Sequence, residues 1–141
     1  MNKASGILLI RKSDGKVLTA SRRNSFDRIG IPGGKVDPGE TNIEACIREV
    51  FEETGIGLEV EEIELVYIRP CKGDVPYEMH VYFCYAEDIS PRADFNEPFQ
   101  KEAGIQIRWA TWEELVAEHN PFSKYNTGLY EHMKSKLGNE Q

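Results

Sequence analysis

No stretch of this chain approaches the ~20 apolar residues that a membrane-spanning helix needs. The apolar run near the start, Gly6 to Ile10, is followed at once by Arg11 and Lys12. A spanning helix and a secretory h-region are therefore not expected, and cytoplasm is the expected compartment. Cysteine is scarce. Cys46, Cys71 and Cys84 are odd in number, widely spaced and without a CxxC pair, which argues against a disulfide framework or a zinc site and leaves reduced, inert thiols. His80, His119 and His132 show no ligand spacing either. Positive charge is in deficit: 17 Lys and Arg against 24 Asp and Glu give a net charge of −7. Broad binding to DNA or RNA rests on basic surface, so no nucleic-acid polymer is expected as partner. A small anionic substrate stays open, because a bound divalent cation and a few local arginines can reverse the field in one cleft. The chain lacks internal repeats, low-complexity segments and linkers, and its 141 residues suit one domain, 1–141, with a core of its own.

What stands out is the stretch from Gly34 to Ile56, GKVDPGETNIEACIREVFEETGI. At ~100° per residue, the side chains of Ile43, Cys46, Ile47, Val50 and Phe51 fall within an arc of roughly 140°, the face expected to enter a core. Glu49, Glu52 and Glu53 gather on the flank of that arc at i, i+3 and i, i+4 spacing. Like charges so placed repel, and no Lys or Arg is interleaved at those three positions. The plain alternative is a solvated acidic face; the chemical reading is a cradle for a cation, and hard oxygen donors suit Mg²⁺ or Mn²⁺. The residues before it favour the cradle. Ile31-Pro32-Gly33-Gly34 puts two glycines where backbone can approach a metal or ligand closely and offer a carbonyl. Asp37-Pro38-Gly39 is turn chemistry, Thr41 with Glu44 forms a capping box for a helix, and Gly55 stops it.

Along the rest of the chain, Ala4–Arg11 and Lys16–Ser21 read as a hairpin around Ser13-Asp14-Gly15. Arg22 to Arg28 reads as a polar loop, with arginines at a strand end able to grip phosphate. Leu58–Ile68 and Tyr77–Ala86 read as extended segments on either side of a loop from Pro70 to Pro76, the second covered on both faces. An irregular polar stretch from Ile89 to Ala103 precedes a strand at Ile105–Ala110 and a short helix capped by Thr111 with Glu114. A loop from Asn120 to Asn126 leads to a last helix at Thr127–Leu137. Helices around a strand-rich middle imply an α/β layer arrangement.

The stretch from Gly34 matches the motif of the Nudix hydrolase family: Gly34, five residues, Glu40, seven residues, Arg48-Glu49, aliphatic Val50, one residue, Glu52-Glu53, one residue, Gly55 and aliphatic Ile56. Beyond it the hairpin ending in Arg22-Arg23, the Pro-Gly-Gly turn and a Trp before a short Glu-Leu helix are similar to the MutT branch. The resemblance implies an α/β/α sandwich with a mixed β-sheet between helices, and hydrolysis of a nucleoside diphosphate linked to another group. It implies Glu52 and Glu53 as metal ligands, the Gly33 carbonyl as a supporting one beside Gly34, and Glu49 as ligand or base. Arg48 would orient Glu49, and Glu40 would brace the turn. A further acid from a later loop is implied, with Glu102 the best match and Glu97 second. Arg23 is placed as a phosphate contact and Asn126 as a base reader, with Tyr125, Phe122 or Phe83 available for stacking. A nucleoside triphosphate, possibly oxidised, cleaved to monophosphate and pyrophosphate is the leading substrate. ADP-ribose or a nucleotide sugar is the runner-up, and a binding module without catalysis is the third reading. Mg²⁺ (or Mn²⁺) is the implied cofactor, and the assembly is a monomer or homodimer.

Overall fold

A computed structural model describes residues 2–72 and 75–138. The strands are β1 (Asn2–Ile10), β2 (Val17–Arg22), β3 (Ser25–Gly30), β4 (Gly33–Lys35), β5 (Glu64–Cys71), β6 (Tyr77–Tyr85) and β7 (Ile107–Ala110). The helices are α1 (Asn42–Thr54), α2 (Trp112–Val116) and α3 (Ser123–Gly138), with short 3-10 turns at Val60–Glu62 and Ala86–Ile89.

The sheet runs β3-β2-β1-β6-β5, with β4 also paired to β1 and β7 to β2. It is mixed. β1 lies parallel to β6 over its full length, from Asn2↔Tyr77 to Ile10↔Tyr85, and antiparallel to β4. Because side chains alternate across a strand, β1 and β6 feed both faces with core residues. Ile7, Leu9, Tyr82 and Cys84 meet Cys46 and Val50 of α1 on one face. Leu8, Ile10, Val81 and Phe83 meet Leu115 of α2 and Leu129 and Met133 of α3 on the other. Helices thus cover a mixed sheet from both sides, the α/β/α sandwich expected, with β1 at its centre and β6 an interior strand beside it.

Several local expectations are corrected. The β1–β2 hairpin pairs only at its closed end, Ile10↔Val17, because β1 gives its edges to β4 and β6. The loop expected at Arg22–Arg28 is a tight turn at Arg23-Asn24 followed by strand β3, in which Ser25, Asp27 and Arg28 line an exposed sheet edge. The first extended segment begins with a 3-10 turn and its strand runs through Pro70 to Cys71; Pro70 sits on an edge strand, where a missing N–H costs nothing. Within the loop expected from Pro70 to Pro76, Gly73 and Asp74 lie outside the described residues. α3 begins at Ser123, so Tyr125 and Asn126 stand in its first turn and not in a preceding loop. Phe51, at the outermost angle of the expected apolar arc, is 52% exposed. Lys101 covers it from outside the core, with Nζ 4.1 Å from the ring centroid. No helix among the described residues is long and apolar enough to cross a membrane. Cys46, Cys71 and Cys84 are free thiols, and burial pushes Cys46 and Cys84 up to about 12.

Candidate active site

The site begins with two glycines whose missing side chains are filled by neighbours. β4 pairs with β1 through Gly6↔Gly33 and Ser5↔Gly34. A Cβ on Gly33 would fall 2.3 Å from the Ser5 carbonyl oxygen and 2.6 Å from Gly6 Cα. A Cβ on Gly34 would fall 2.5 Å from Glu49 Cδ and 2.7 Å from each of its carboxylate oxygens. Glycine at 33 lets the strands close, and glycine at 34 leaves the seat that the Glu49 carboxylate takes. The Ile7 N–H to Pro32 O and Val36 N–H to Lys3 O bonds flank Gly33, so Gly33 is in a non-hydrogen-bonded pair and turns its backbone polar groups away from β1. Its N–H donates to Glu53 Oε1 at 2.8 Å, and its C=O leaves on that same side, toward α1.

α1 presents the carboxylates as the sequence requires. Thr41 Oγ1 accepts from the Glu44 N–H and Glu44 returns a bond to the Thr41 N–H, while Gly55 closes the helix in the left-handed region at φ 80°. The helix is therefore fixed at both ends, with Glu49 and Glu53 against the glycine turn and Glu52 more exposed beside them. Arg48 binds Glu49 and Glu52 from the side. Its Nε and Nη2 form a fork to Glu40 at 2.7 and 3.0 Å, its Nη1 reaches Glu49 at 2.9 Å and Glu52 at 3.3 Å, and Nη2 also donates to the Lys35 carbonyl at 3.0 Å. Asp37 stands 3.3 Å from the same guanidinium. The pairing of Arg48 with Glu49 is the one expected, and its reach to Glu52 and Glu40 goes beyond it. Arg48 is not interleaved among the three glutamates in sequence, yet its length carries Nη1 between two of them.

The charges register this arrangement. Glu40 is held down at about 2, first by the Arg48 fork and then by the Asp37 N–H. Glu49 is raised by burial, against the pull of Arg48. Glu53 is raised to about 7, chiefly by burial, which outweighs the Gly33 N–H; the charges of Glu49, Glu102 and Glu52 push it further up. Arg48 is raised in turn, most by Glu40. Among the described residues no three Asp, Glu, His or Cys side chains form a ready-made chelate. The donor set nonetheless fits a hard divalent cation. Carboxylate oxygens of Glu49 and Glu53 lie against the glycine turn, the Gly33 carbonyl leaves on the same side as its N–H, and Glu53 has carboxylate neighbours and, among the described residues, no ion pair.

Other expected residues fall as follows. Arg23 donates through Nη2 to Glu102 Oε1 at 2.9 Å and through Nη1 to the Ala103 carbonyl at 2.5 Å. Glu102 is thus held by Arg23, and its charge is one of those that raise Glu53. Glu97 is turned elsewhere: it accepts the Trp109 N–H at 3.3 Å and stands 3.9 Å from Arg11. Asn126 is 1% exposed on the opposite face of the sheet from α1. Its Nδ2 donates to the Leu115 carbonyl at 2.8 Å and the Ile29 carbonyl at 3.4 Å, beside Asn120, which binds the same two carbonyls; its Oδ1 has no partner. Phe83 is core, edge-on to Tyr85, whereas Tyr125 and Phe122 lie beneath Arg69 and Arg22. Lys101 escaped sequence reasoning. α1 carries no base in its last turn, and Lys101 supplies one from a distant loop, donating to the Phe51 carbonyl at 2.6 Å. The bare helix end was the available signal. A hollow of about 790 Å³ lined by Arg11, Ser13, Glu87, Asp94 and Phe95 shares no residue with the glutamate cluster. Its Glu87 is already used by the Lys12 and Ser13 N–H groups.

A layered fold with a glycine turn seating acidic residues of one helix defines a class, and comparison with known proteins agrees. The family model described as NUDIX domain matches residues 1–131. A CTP pyrophosphohydrolase of Escherichia coli (strain K12) is 30% identical over 113 residues, covering 78% of this chain and 77% of that protein. A putative 8-oxo-dGTP diphosphatase of Bacillus subtilis (strain 168) is 36% identical over 83 residues, 59% of this chain; that match spans about half of the relative's length, 46%. Among solved structures, a MutT NUDIX hydrolase from Burkholderia pseudomallei superposes with a TM-score of 0.66 at 25% identity, covering 89% of this chain and 94% of that one. The chain belongs to the Nudix hydrolase superfamily, related by sequence model and structure to its MutT-like members.

Proposed function

We propose that this chain hydrolyses the diphosphate bond of a nucleoside diphosphate linked to a further group. The leading substrate is a nucleoside triphosphate, possibly with an oxidised base, giving monophosphate and pyrophosphate. The observation that carries the reading is Glu49 seated on Gly34 beside a Glu53 lifted to about 7 by burial and by its acidic neighbours. The names of the E. coli and B. subtilis relatives, CTP pyrophosphohydrolase and putative 8-oxo-dGTP diphosphatase, support a triphosphate.

Glu52, Glu53, Glu49 and the Gly33 carbonyl would hold Mg²⁺ or Mn²⁺, with Glu102 as a later addition. When bound, the ion neutralises phosphate oxygens and acidifies water. The chain's own residues do the rest. Arg48 fixes Glu49 through Nη1 and ties it to Glu40 and the β4 carbonyl of Lys35. Glu49, raised by burial and held by Arg48, is ligand or the base that takes the proton of the attacking water. Arg23 contacts phosphate. Asn126, with its donor committed to backbone, offers only Oδ1 to a base. The protein acts as one domain, 1–141, as monomer or homodimer in the cytoplasm, on a small nucleotide and not on a nucleic-acid polymer or membrane.

The test is incubation with Mg²⁺ and a panel of canonical and oxidised nucleoside triphosphates, ADP-ribose and nucleotide sugars, with both products identified. Monophosphate and pyrophosphate from a triphosphate, abolished by EDTA, is the expected result. Cleavage of ADP-ribose alone would move the substrate to the runner-up, and no cleavage of any nucleotide would overturn the enzymatic reading.

A further inference from the structure

The loop carrying Glu102 is fastened on both sides of that residue. On one side Gly104, at φ 89°, accepts the Asn24 N–H through its carbonyl at 2.8 Å, the Ser21 N–H donates to the Gln106 carbonyl at 3.0 Å, and the Gln106 N–H donates to Ser21 Oγ at 2.8 Å. Asn24 is itself left-handed at φ 57°, and a Cβ on Gly104 would sit 2.9 Å from Asn24 Oδ1. The β2–β3 turn and this loop are therefore locked together at Gly104. On the other side Lys101 is latched to the last turn of α1 through the Phe51 carbonyl. Glu102 hangs between the two anchors, and its carboxylate accepts from Arg23. Both side chains are about half exposed, 55% and 46%, so the pair is held loosely against water. A phosphate offers the same guanidinium a bidentate partner of higher charge.

We propose that Glu102 is a stand-in for substrate phosphate on Arg23, and that phosphate displaces it toward the glutamates of α1, so that one exchange couples anion binding to completion of the cation site. Arg23 is then a positioning residue for Glu102 as well as a phosphate contact. Lys101, the residue before Glu102, is bonded to the Phe51 carbonyl and lies against Gly55, which sets Glu102 beside the end of α1 that carries Glu52 and Glu53 and keeps the second half of the exchange short. The proposal rests on the functional reading above and adds the order of events: in the resting protein Arg23 withholds the last acidic ligand.

A double-mutant cycle tests it without turnover. Pyrophosphate binding is measured by calorimetry with EDTA present, and Mn²⁺ binding by paramagnetic resonance without nucleotide. The proteins are wild type, Arg23→Gln, Glu102→Gln and the double variant, each checked for fold by circular dichroism. Glu102→Gln is expected to bind pyrophosphate about three- to fivefold more tightly than wild type, the range that an exposed ion pair allows. Arg23→Gln is expected to bind Mn²⁺ more tightly by a similar factor. Both gains vanish when the partner is already replaced. Gains that persist in the partner's absence would be plain changes of local charge, and no gain at all would mean an inert surface pair; either overturns the exchange. A protein that hydrolyses nucleotides yet shows a flat cycle refutes this inference alone, leaving the proposed activity standing.

Discussion

Replacing Gly34 by alanine puts a methyl carbon 2.5 Å from Glu49 Cδ and 2.7 Å from both of its oxygens. Contact between such atoms needs ~3.5 Å, so the carboxylate must retreat by about 1 Å. Glu49 sits at the end of a flexible side chain and can do so, but only by stretching its 2.9 Å bond from Arg48 and leaving the glycine turn. The fold loses little, about 1 kcal/mol, whereas a displacement of that size at a reacting group costs ~10²-fold in rate. Gly33→Ala is the internal comparison, because its Cβ meets backbone on β1, 2.3 Å from the Ser5 oxygen. Nothing there can rotate away, and β4 must part from β1 at about 3 kcal/mol or more. For 141 residues at ~2.1 cal/mol/K per residue, that lowers Tm by about 10 °C. Thermal melts and Mg²⁺-dependent pyrophosphate release distinguish the two. Gly34→Ala should melt within a few degrees of wild type and be nearly inactive; Gly33→Ala should melt early. A Gly34→Ala protein with turnover within threefold of wild type would show that the seat of Glu49 is irrelevant to the chemistry.

Three further outcomes follow from the same geometry. Arg48→Ala leaves Glu40, Glu49 and Glu52 facing one another without their shared base, and is expected to cost ~1–3 kcal/mol in urea titrations; Arg48→Lys should not restore it, since one ammonium cannot reproduce the fork to Glu40. Glu53 is raised from an ordinary 4.5 to about 7, so the folded protein holds its proton longer than the unfolded chain does, and folding stability falls as pH rises from 4.5 through 7. In EDTA the stability of Glu53→Gln relative to wild type should therefore grow by ~2–3 kcal/mol between pH 4.5 and pH 8, and a difference independent of pH would contradict that burial. Glu52→Gln should cut turnover by orders of magnitude with an unchanged melt, and near-normal rates at saturating Mg²⁺ would remove it from the ligand set.

Local rules made α1 legible in advance. The Thr41 box, the Gly55 stop and the acidic flank are all statements about neighbours in sequence, and they hold in space. The same is true of the Thr111 box on α2 and of β6, whose apolar residues on both faces anticipated cover on two sides. Contacts made across the sheet were not legible. β4 exists because Gly6 and Gly33 can touch, and nothing between residues 31 and 36 announces a strand. Phe51 looked like core by angle, but it sits at the margin of the arc, and Lys101, fifty residues away, decides its surroundings. Asn120 and Pro121 make the sequence up to Asn126 read as a loop. α3 instead starts at Ser123, and the Asn126 amide is drawn inward by the Leu115 and Ile29 carbonyls. The nearness of Glu49 and Glu53 to the glycine turn was readable from spacing, whereas the reach of Arg48 to both Glu49 and Glu52 and the hold of Arg23 on Glu102 are properties of side-chain length in three dimensions.

The proposed activity requires Glu49, Glu52 and Glu53 to form a cation site beside the Gly33-Gly34 turn. Its most direct test is a Mn²⁺ titration followed by electron paramagnetic resonance, comparing wild type with the triple variant Glu49→Gln/Glu52→Gln/Glu53→Gln at pH 8. Saturable binding in wild type that is absent from a folded triple variant is the predicted result; equal Mn²⁺ binding by both proteins would contradict it.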